Sequence, residues 1–431
     1  MSVNRDKFNI RLSALTIAAA LAGAGHAWAT EPVWVTSGAD SGEGTLRAAL
    51  ASGATNIRFG SRVGVITIDS TLVYEGSKPL RIAGLGQTIF ANNSGDDFTL
   101  LEVASGANLS ISRLNFDGGG GFSLDNPGAG KGVFVRVPTE RTGVVNIELR
   151  DVRVSGVANH GVHVSDCTLG DDCGAGGGGG GDGSPASIVF SARRVSVIDA
   201  GNGKFDADGI RLDERNDGDI VFNAFASRFA DIGADGVELD EGDSGDVVID
   251  VNAVLFENNG GFCLDSPLEL EQPCVEDDDG ELLLDLDDGF DIDEAGPGWL
   301  LGSVSMSLVS DNLDEGLDFD VEGPGGADIE IRRVVAVGNG DEGIKLSEAG
   351  GDGATAHLMG VLVTGNGNDG IQIESENGDG TVHVIFSNST STGNDNDGLD
   401  LSQENTESPG TLRIFGFAEF DSLDLENVVE K

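Results

Sequence analysis

Apolar and polar residues alternate along this chain in short runs, and the runs return at a fixed interval. An acidic residue and a glycine open each one, as in Asp208-Gly209-Ile210-Arg211-Leu212-Asp213, Asp235-Gly236-Val237-Glu238-Leu239-Asp240 and Glu315-Gly316-Leu317-Asp318-Phe319-Asp320. The opening glycines Gly209, Gly236, Gly289, Gly316, Gly343, Gly370 and Gly398 stand 27, 53, 27, 27, 27 and 28 residues apart. The 53-residue step reads as two periods, with Gly260-Gly261-Phe262-Cys263-Leu264-Asp265 as the coil between. A second turn follows each run, as at Asp217-Gly218 or Pro324-Gly325, and then another alternating run such as Ala327-Asp328-Ile329-Glu330-Ile331. Asn312, Asn339, Asn366 and Asn394 each sit four residues before an opening glycine. A period of two means strands with one buried face, and Gly, Asn and Asp mark the bends between them.

A repeat of about 27 residues holding two or three strands predicts one coil of a stacked solenoid. A lone coil cannot bury its apolar face, whereas neighbours in register share a core and pair their backbones about 4.8 Å apart. The residues one and three places after each glycine, such as Val237 and Leu239, point inward on this reading. Those two and four places after it form outward-facing columns. The predicted class is all-β, a right-handed parallel β-helix with a short N-terminal capping helix at Thr45 to Leu50. Such a helix shields an open sheet edge.

Residues 1–29 read as a secretory signal: Arg5, Lys7 and Arg11 precede a short apolar stretch, and Ala27-Trp28-Ala29 fits the small-x-small cleavage rule. The rest, 30–431, reads as a single domain. Its N-terminal cap and first coils occupy 30–131, regular coils occupy 132–410 with a glycine-rich insertion at 174–183, and a C-terminal end occupies 411–431. A secreted, periplasmic or cell-surface location follows. The four cysteines fall in two close pairs, Cys167 with Cys173 and Cys263 with Cys274, spaced as local disulfide clips. A zinc site is the rival, but neither pair has the usual two-residue spacing.

Charge changes the picture next. The 431 residues carry 74 Asp+Glu against 25 Lys+Arg, a net charge of −49. That balance excludes nucleic-acid binding as a main activity, because phosphate contacts need a basic footprint.

The segment Ser41-Gly42-Glu43-Gly44-Thr45-Leu46-Arg47, with the repeated acidic-Gly-apolar-x-apolar units, resembles secreted right-handed parallel β-helix proteins of the pectin-lyase-like superfamily. The opening segment also resembles the start of bacterial surface adhesins. That superfamily includes lyases, hydrolases, epimerases, tailspikes and adhesins, so the resemblance specifies fold more than activity.

Chemistry is expected on the outward columns, where stacking sets carboxylates about 5 Å from like carboxylates. Such neighbours repel by roughly 1 kcal/mol in water and more at a drier surface. Calcium is the expected counter-ion, because it takes six to eight oxygens in adaptable geometry. The candidate ligands are Asp213, Glu238, Asp240, Asp265, Asp291, Asp293, Asp318 and Asp320. A solvated acidic face is the simpler reading of the same residues. Related polysaccharide lyases pair calcium-binding acids with an Arg or Lys base, and Arg211 and Lys345 stand among the acids here. Relief of charge repulsion is the competing role for both.

Two functions are therefore expected. One is a secreted, acidic, calcium-associated β-helix with a structural, adhesive or surface-binding role, with divalent cations and an extracellular polysaccharide or cell-surface component as partners, and with self-association. The other is a polysaccharide lyase or glycoside hydrolase working in a groove on the acidic face.

Overall fold

The computed structural model describes residues 31–92, 98–120, 129–168, 182–203, 206–261, 287–376 and 379–431. The signal segment, most of the glycine-rich insertion, Asp265, Cys173, Cys263 and Cys274 lie outside the described residues. Of the four cysteines, Cys167 alone is among the described residues.

The alternating runs become strands that pair in parallel with their counterparts one coil away. Ile210, Val237, Phe290 and Leu317 stack in register, as do Leu212, Leu239, Ile292 and Phe319, and all eight are buried. The protein is a parallel β-helix. One side is a twelve-stranded sheet running from Leu72–Tyr74 to Leu423–Glu426. The other two sides merge into a single larger sheet, because long strands such as Gly143–Val157 and His383–Ser391 run through the bend that joins them. The core is a column of stacked side chains, and the Phe256 and Phe290 rings lie 5.4 Å apart and nearly parallel.

The bend between the second and third sides is a single residue with positive φ. Arg113, Asp151, Arg194, Ala226, Ala253, Met306, Arg333, Gly360 and Asn388 occupy it in successive coils, with φ between 50° and 67°. That conformation costs most side chains roughly 1–2 kcal/mol. It persists because the hydrogen-bond ladder continues through it, from Ala226 N–H to Asn252 C=O at 3.0 Å and from Met306 N–H to Arg332 C=O at 2.8 Å.

The corner before each opening glycine holds the predicted asparagines, now seen as a buried ladder. Asn259 donates from Nδ2 to Asn312 Oδ1, Asn312 to Asn339 and Asn339 to Asn366, each at 2.9 Å. The glycines are needed for close approach: a Cβ on Gly289 would stand 2.5 Å from Gly316 O and 2.7 Å from Asn312 Nδ2.

At the N-terminal end the helix Leu46–Ala51 is capped by Thr45, whose Oγ1 accepts from Ala48 N–H at 3.2 Å. It buries Leu46, Ala49 and Leu50 against Leu72–Tyr74. Among the described residues no helix is long and apolar enough to cross a membrane.

One expectation is corrected. Val237–Glu241 pairs directly with Phe290–Glu294, and the other two sides show the same 53-residue offset at Val247↔Leu300 and Leu255↔Leu308. The long step is one coil enlarged by an insertion at a corner, not two coils. Glu238 pairs directly with Asp291; Cys263 and Asp265, expected between them, lie outside the described residues.

Candidate metal centre and acidic sheet face

Strand pairing aligns the outward columns as predicted. Arg211, Glu238, Asp291 and Asp318 form one, and Asp213, Asp240, Asp293 and Asp320 the other. Their environment is not the open one expected: all except Asp320 are buried. The face becomes half-exposed only from Asp320 onward, at Lys345, Ser347, Gln372, Glu374, Asp400 and Ser402.

The first part of the face is a closed ion-pair network. Arg211 reaches Glu238 Oε2 at 2.5 Å and Asp213 Oδ1 at 2.8 Å, while Arg215 forks onto both oxygens of Asp240. Lys131 Nζ donates to His163 Nδ1 at 2.7 Å. The imidazole proton therefore sits on Nε2, which meets Asp213 Oδ2 at 2.6 Å. Burial first, and then the Lys131 charge, push His163 down to about 3, so the ring is neutral. Burial alone would raise Asp213, but the charges of Arg211 and the hydrogen bond from His163 hold it well below the carboxylate range. Both oxygens of Asp213 and of Asp240 are thus engaged by protein donors: Arg211 and the neutral His163 for Asp213, and Arg215 for Asp240. The chain separation of Lys131, His163 and Asp213 hid this relay from the sequence.

Further along, carboxylates converge on one another across the coils. Glu238, Asp291 and Asp293 bring one oxygen each within 4.8 Å of one another, and so do Asp288, Glu315 and Asp318. The second group is buried throughout. Asp288 Oδ1 accepts from Glu315 N–H at 2.7 Å, which ties the two coils together. Lys345 Nζ, on the next coil, lies 2.8 Å from Asp318 Oδ2 and 3.1 Å from Glu315 Oε1. The other oxygen, Asp318 Oδ1, is buried with no hydrogen-bond partner. Burial, reinforced by the neighbouring acids, raises Asp288 well above its usual value and Glu315 to about 7. Three carboxylates facing one ammonium in a dry site fit a hard dication taking oxygen ligands.

Asp288 and Glu315 were not among the residues singled out from sequence. They are the acids that precede each opening glycine, and the turn they signal masked their second role. The column five places after each glycine was also missed. Glu214, Glu241, Glu294 and Glu348 all face inward and are fully buried. They accept from turn amides, as Glu214 Oε1 does from Gly218 N–H at 3.2 Å and Glu294 Oε1 from Gly296 N–H at 3.1 Å. Burial and the adjacent acids push Glu214 up to about 9 and Glu241 to about 11.

Neither basic residue considered for catalysis is poised as a base in this state. Burial works against the charge on Arg211 and Lys345, yet the surrounding carboxylates raise both above their ordinary values.

No family model and no curated protein matches the chain. Among solved structures it is similar to a variant of the periplasmic alginate epimerase AlgG, covering 90% of this chain and 76% of that one at 12% identity and a TM-score of 0.47. It is similar to the A-module of the Azotobacter vinelandii mannuronan C-5 epimerase AlgE6 over 92% of this chain and 97% of that one, at 12% identity and a TM-score of 0.43. Pectate lyase Pel9A is matched over 85% of this chain and 79% of that one, at 15% identity and a TM-score of 0.38. The parallel β-helix assignment rests on the register of this chain's own strands.

Proposed function

We propose that the protein is a secreted, divalent-cation-binding β-helix with a structural or surface-binding role, its acidic sheet holding calcium and through it an extracellular polysaccharide. The observation that supports this reading is the buried meeting of Asp288, Glu315 and Asp318 beside a single ammonium. An uncompensated carboxylate in such a site is costly, and a bound dication offsets it. Calcium suits the donors better than magnesium, because carboxylates fixed by strand register do not adjust easily to a strict octahedron. Calorimetric titration of chelator-stripped protein with calcium, at moderate and high sodium chloride, tests the reading. Saturable heat that survives high salt is expected, and heat that vanishes with salt refutes it.

Lys345 favours a second reading. It lies against the carboxylate triad and is 23% exposed, so solvent reaches it. A bound dication would take over the carboxylates that now hold its proton and so lower its pKa, as proton abstraction beside a neutralised uronate requires. On this reading the protein is a polysaccharide lyase. Release of unsaturated sugars from an acidic polysaccharide in calcium, lost in Lys345→Met, supports it. No turnover on a panel of acidic polysaccharides leaves the structural role.

A further inference from the structure

The vertex opposite the acidic sheet carries the reverse charge. Arg150 and Arg193 are register partners on adjacent strands, so two guanidinium side chains stand side by side at the strand spacing. Arg113 and Arg194 occupy the positive-φ bend one coil to either side of Asp151, and Arg153 follows on the third side. All five arginines are exposed.

Asp151 is the carboxylate at their centre. Arg194 Nε reaches its Oδ1 at 2.5 Å, and Arg150 Nε lies 3.6 Å from its Oδ2. The Arg194 hydrogen bond, with the charges of Arg150 and Arg113 behind it, lowers the Asp151 pKa. Arg193 stacks over Phe225 at 5.5 Å, and Arg153 meets Ser155 Oγ at 3.4 Å. Other acids share the edge: Glu148 stands two residues before Arg150 on the same outward face, and Asp199 feels the Arg153 charge together with those of Asp231 and Asp117.

The fold does not require this arrangement. Like charges directly opposite in a sheet are destabilising, and the same bend is occupied elsewhere by Ala226, Ala253 and Met306 as well as by Arg333. In a chain of net charge −49, five exposed arginines spread over three coils, against Asp151 and Glu148 among them, make a locally positive edge. Guanidinium groups suit bidentate pairing with carboxylates and sulfates. Their repeat along the solenoid axis is about 4.8 Å, close to the charge repeat of a linear polyanion with one anionic group per sugar. The acidic surfaces around it repel such a polymer and steer it here.

We propose that this edge, centred on Arg150, Arg193 and Arg194, is a docking surface for a linear anionic polysaccharide lying along the solenoid axis. It is separate from the carboxylate face and needs no cation.

Fluorescence anisotropy with labelled oligogalacturonate, in chelator, tests the proposal and leaves calcium binding to its own calorimetric readout. Saturable binding that weakens with salt is expected. The Arg150→Glu, Arg193→Glu double variant should weaken it by about tenfold or more, since two contacts become repulsive. Asp151→Asn keeps a residue that tolerates the bend and should tighten binding by about threefold; a merely unfolded variant cannot do this. Binding unchanged in the double variant, absent in the wild-type protein, or matched by a DNA duplex of equal charge overturns the proposal.

Discussion

Lys345 Nζ donates to Asp318 Oδ2, 27 residues earlier, at 2.8 Å, and the same ammonium reaches Glu315. One cation thereby bridges two carboxylates of the preceding coil, to which the repeat brings it. Lys345→Met should destabilise the chelator-treated protein by roughly 1–3 kcal/mol, the cost of stranding a buried charge reduced for partial exposure. Urea unfolding with and without calcium reads it, and the loss should shrink when calcium is present.

Asp318→Asn separates the two sources of neutralisation. It removes one negative charge from the site with little change of shape. Without calcium the variant should melt at or above the wild-type temperature, and with calcium it should lose most of the metal-dependent rise. A variant that lowers the melting temperature equally in both conditions would assign Asp318 a purely packing role.

The inner glutamates give an unusual pH dependence. Burial and like charge raise Glu214, Glu241 and Glu294 to about 9, 11 and 8, above the unfolded value near 4.5. The folded state then binds more protons than the unfolded one above that value, so stability falls as pH rises from about 5 through 8 and beyond. The buried Asp213, whose pKa is depressed, acts oppositely, and its stabilisation is lost only in strong acid. Urea midpoints from pH 5 to 9 should decline, and Glu241→Gln should flatten the slope. A midpoint that rises over that range contradicts this account.

The asparagine ladder is a stability element with a sharp test. Asn312 accepts from Asn259 and donates to Asn339, both at 2.9 Å in a buried corner. Asn312→Ala leaves partners on two coils unsatisfied and should cost about 2–4 kcal/mol, measured by the urea midpoint. Asn388→Ala, at an exposed bend, should stay within about 1–2 kcal/mol, because the left-handed conformation is its main penalty.

The sequence by itself determined the strands, the usual coil length, the capping helix, the glycines at each corner and which of Asp213, Glu238, Asp240, Asp291, Asp293, Asp318 and Asp320 share a column. Those follow from alternation and period, which are local properties: parity says which side chains share a face, and the repeat says which ones stack. Tertiary structure alone decided the rest. It made the 53-residue step one coil, because strand pairing, not residue count, defines a turn of the helix. It buried Asp291, Asp293 and Asp318, which parity places outside the core but cannot place in water. It brought Lys131, His163 and Asp213 into one relay and set Asp288 and Glu315 beside Asp318. These contacts run between coils and around corners. Whether a carboxylate there meets solvent, a proton or a cation depends on the side chains packed around it, and a one-dimensional period does not encode that packing.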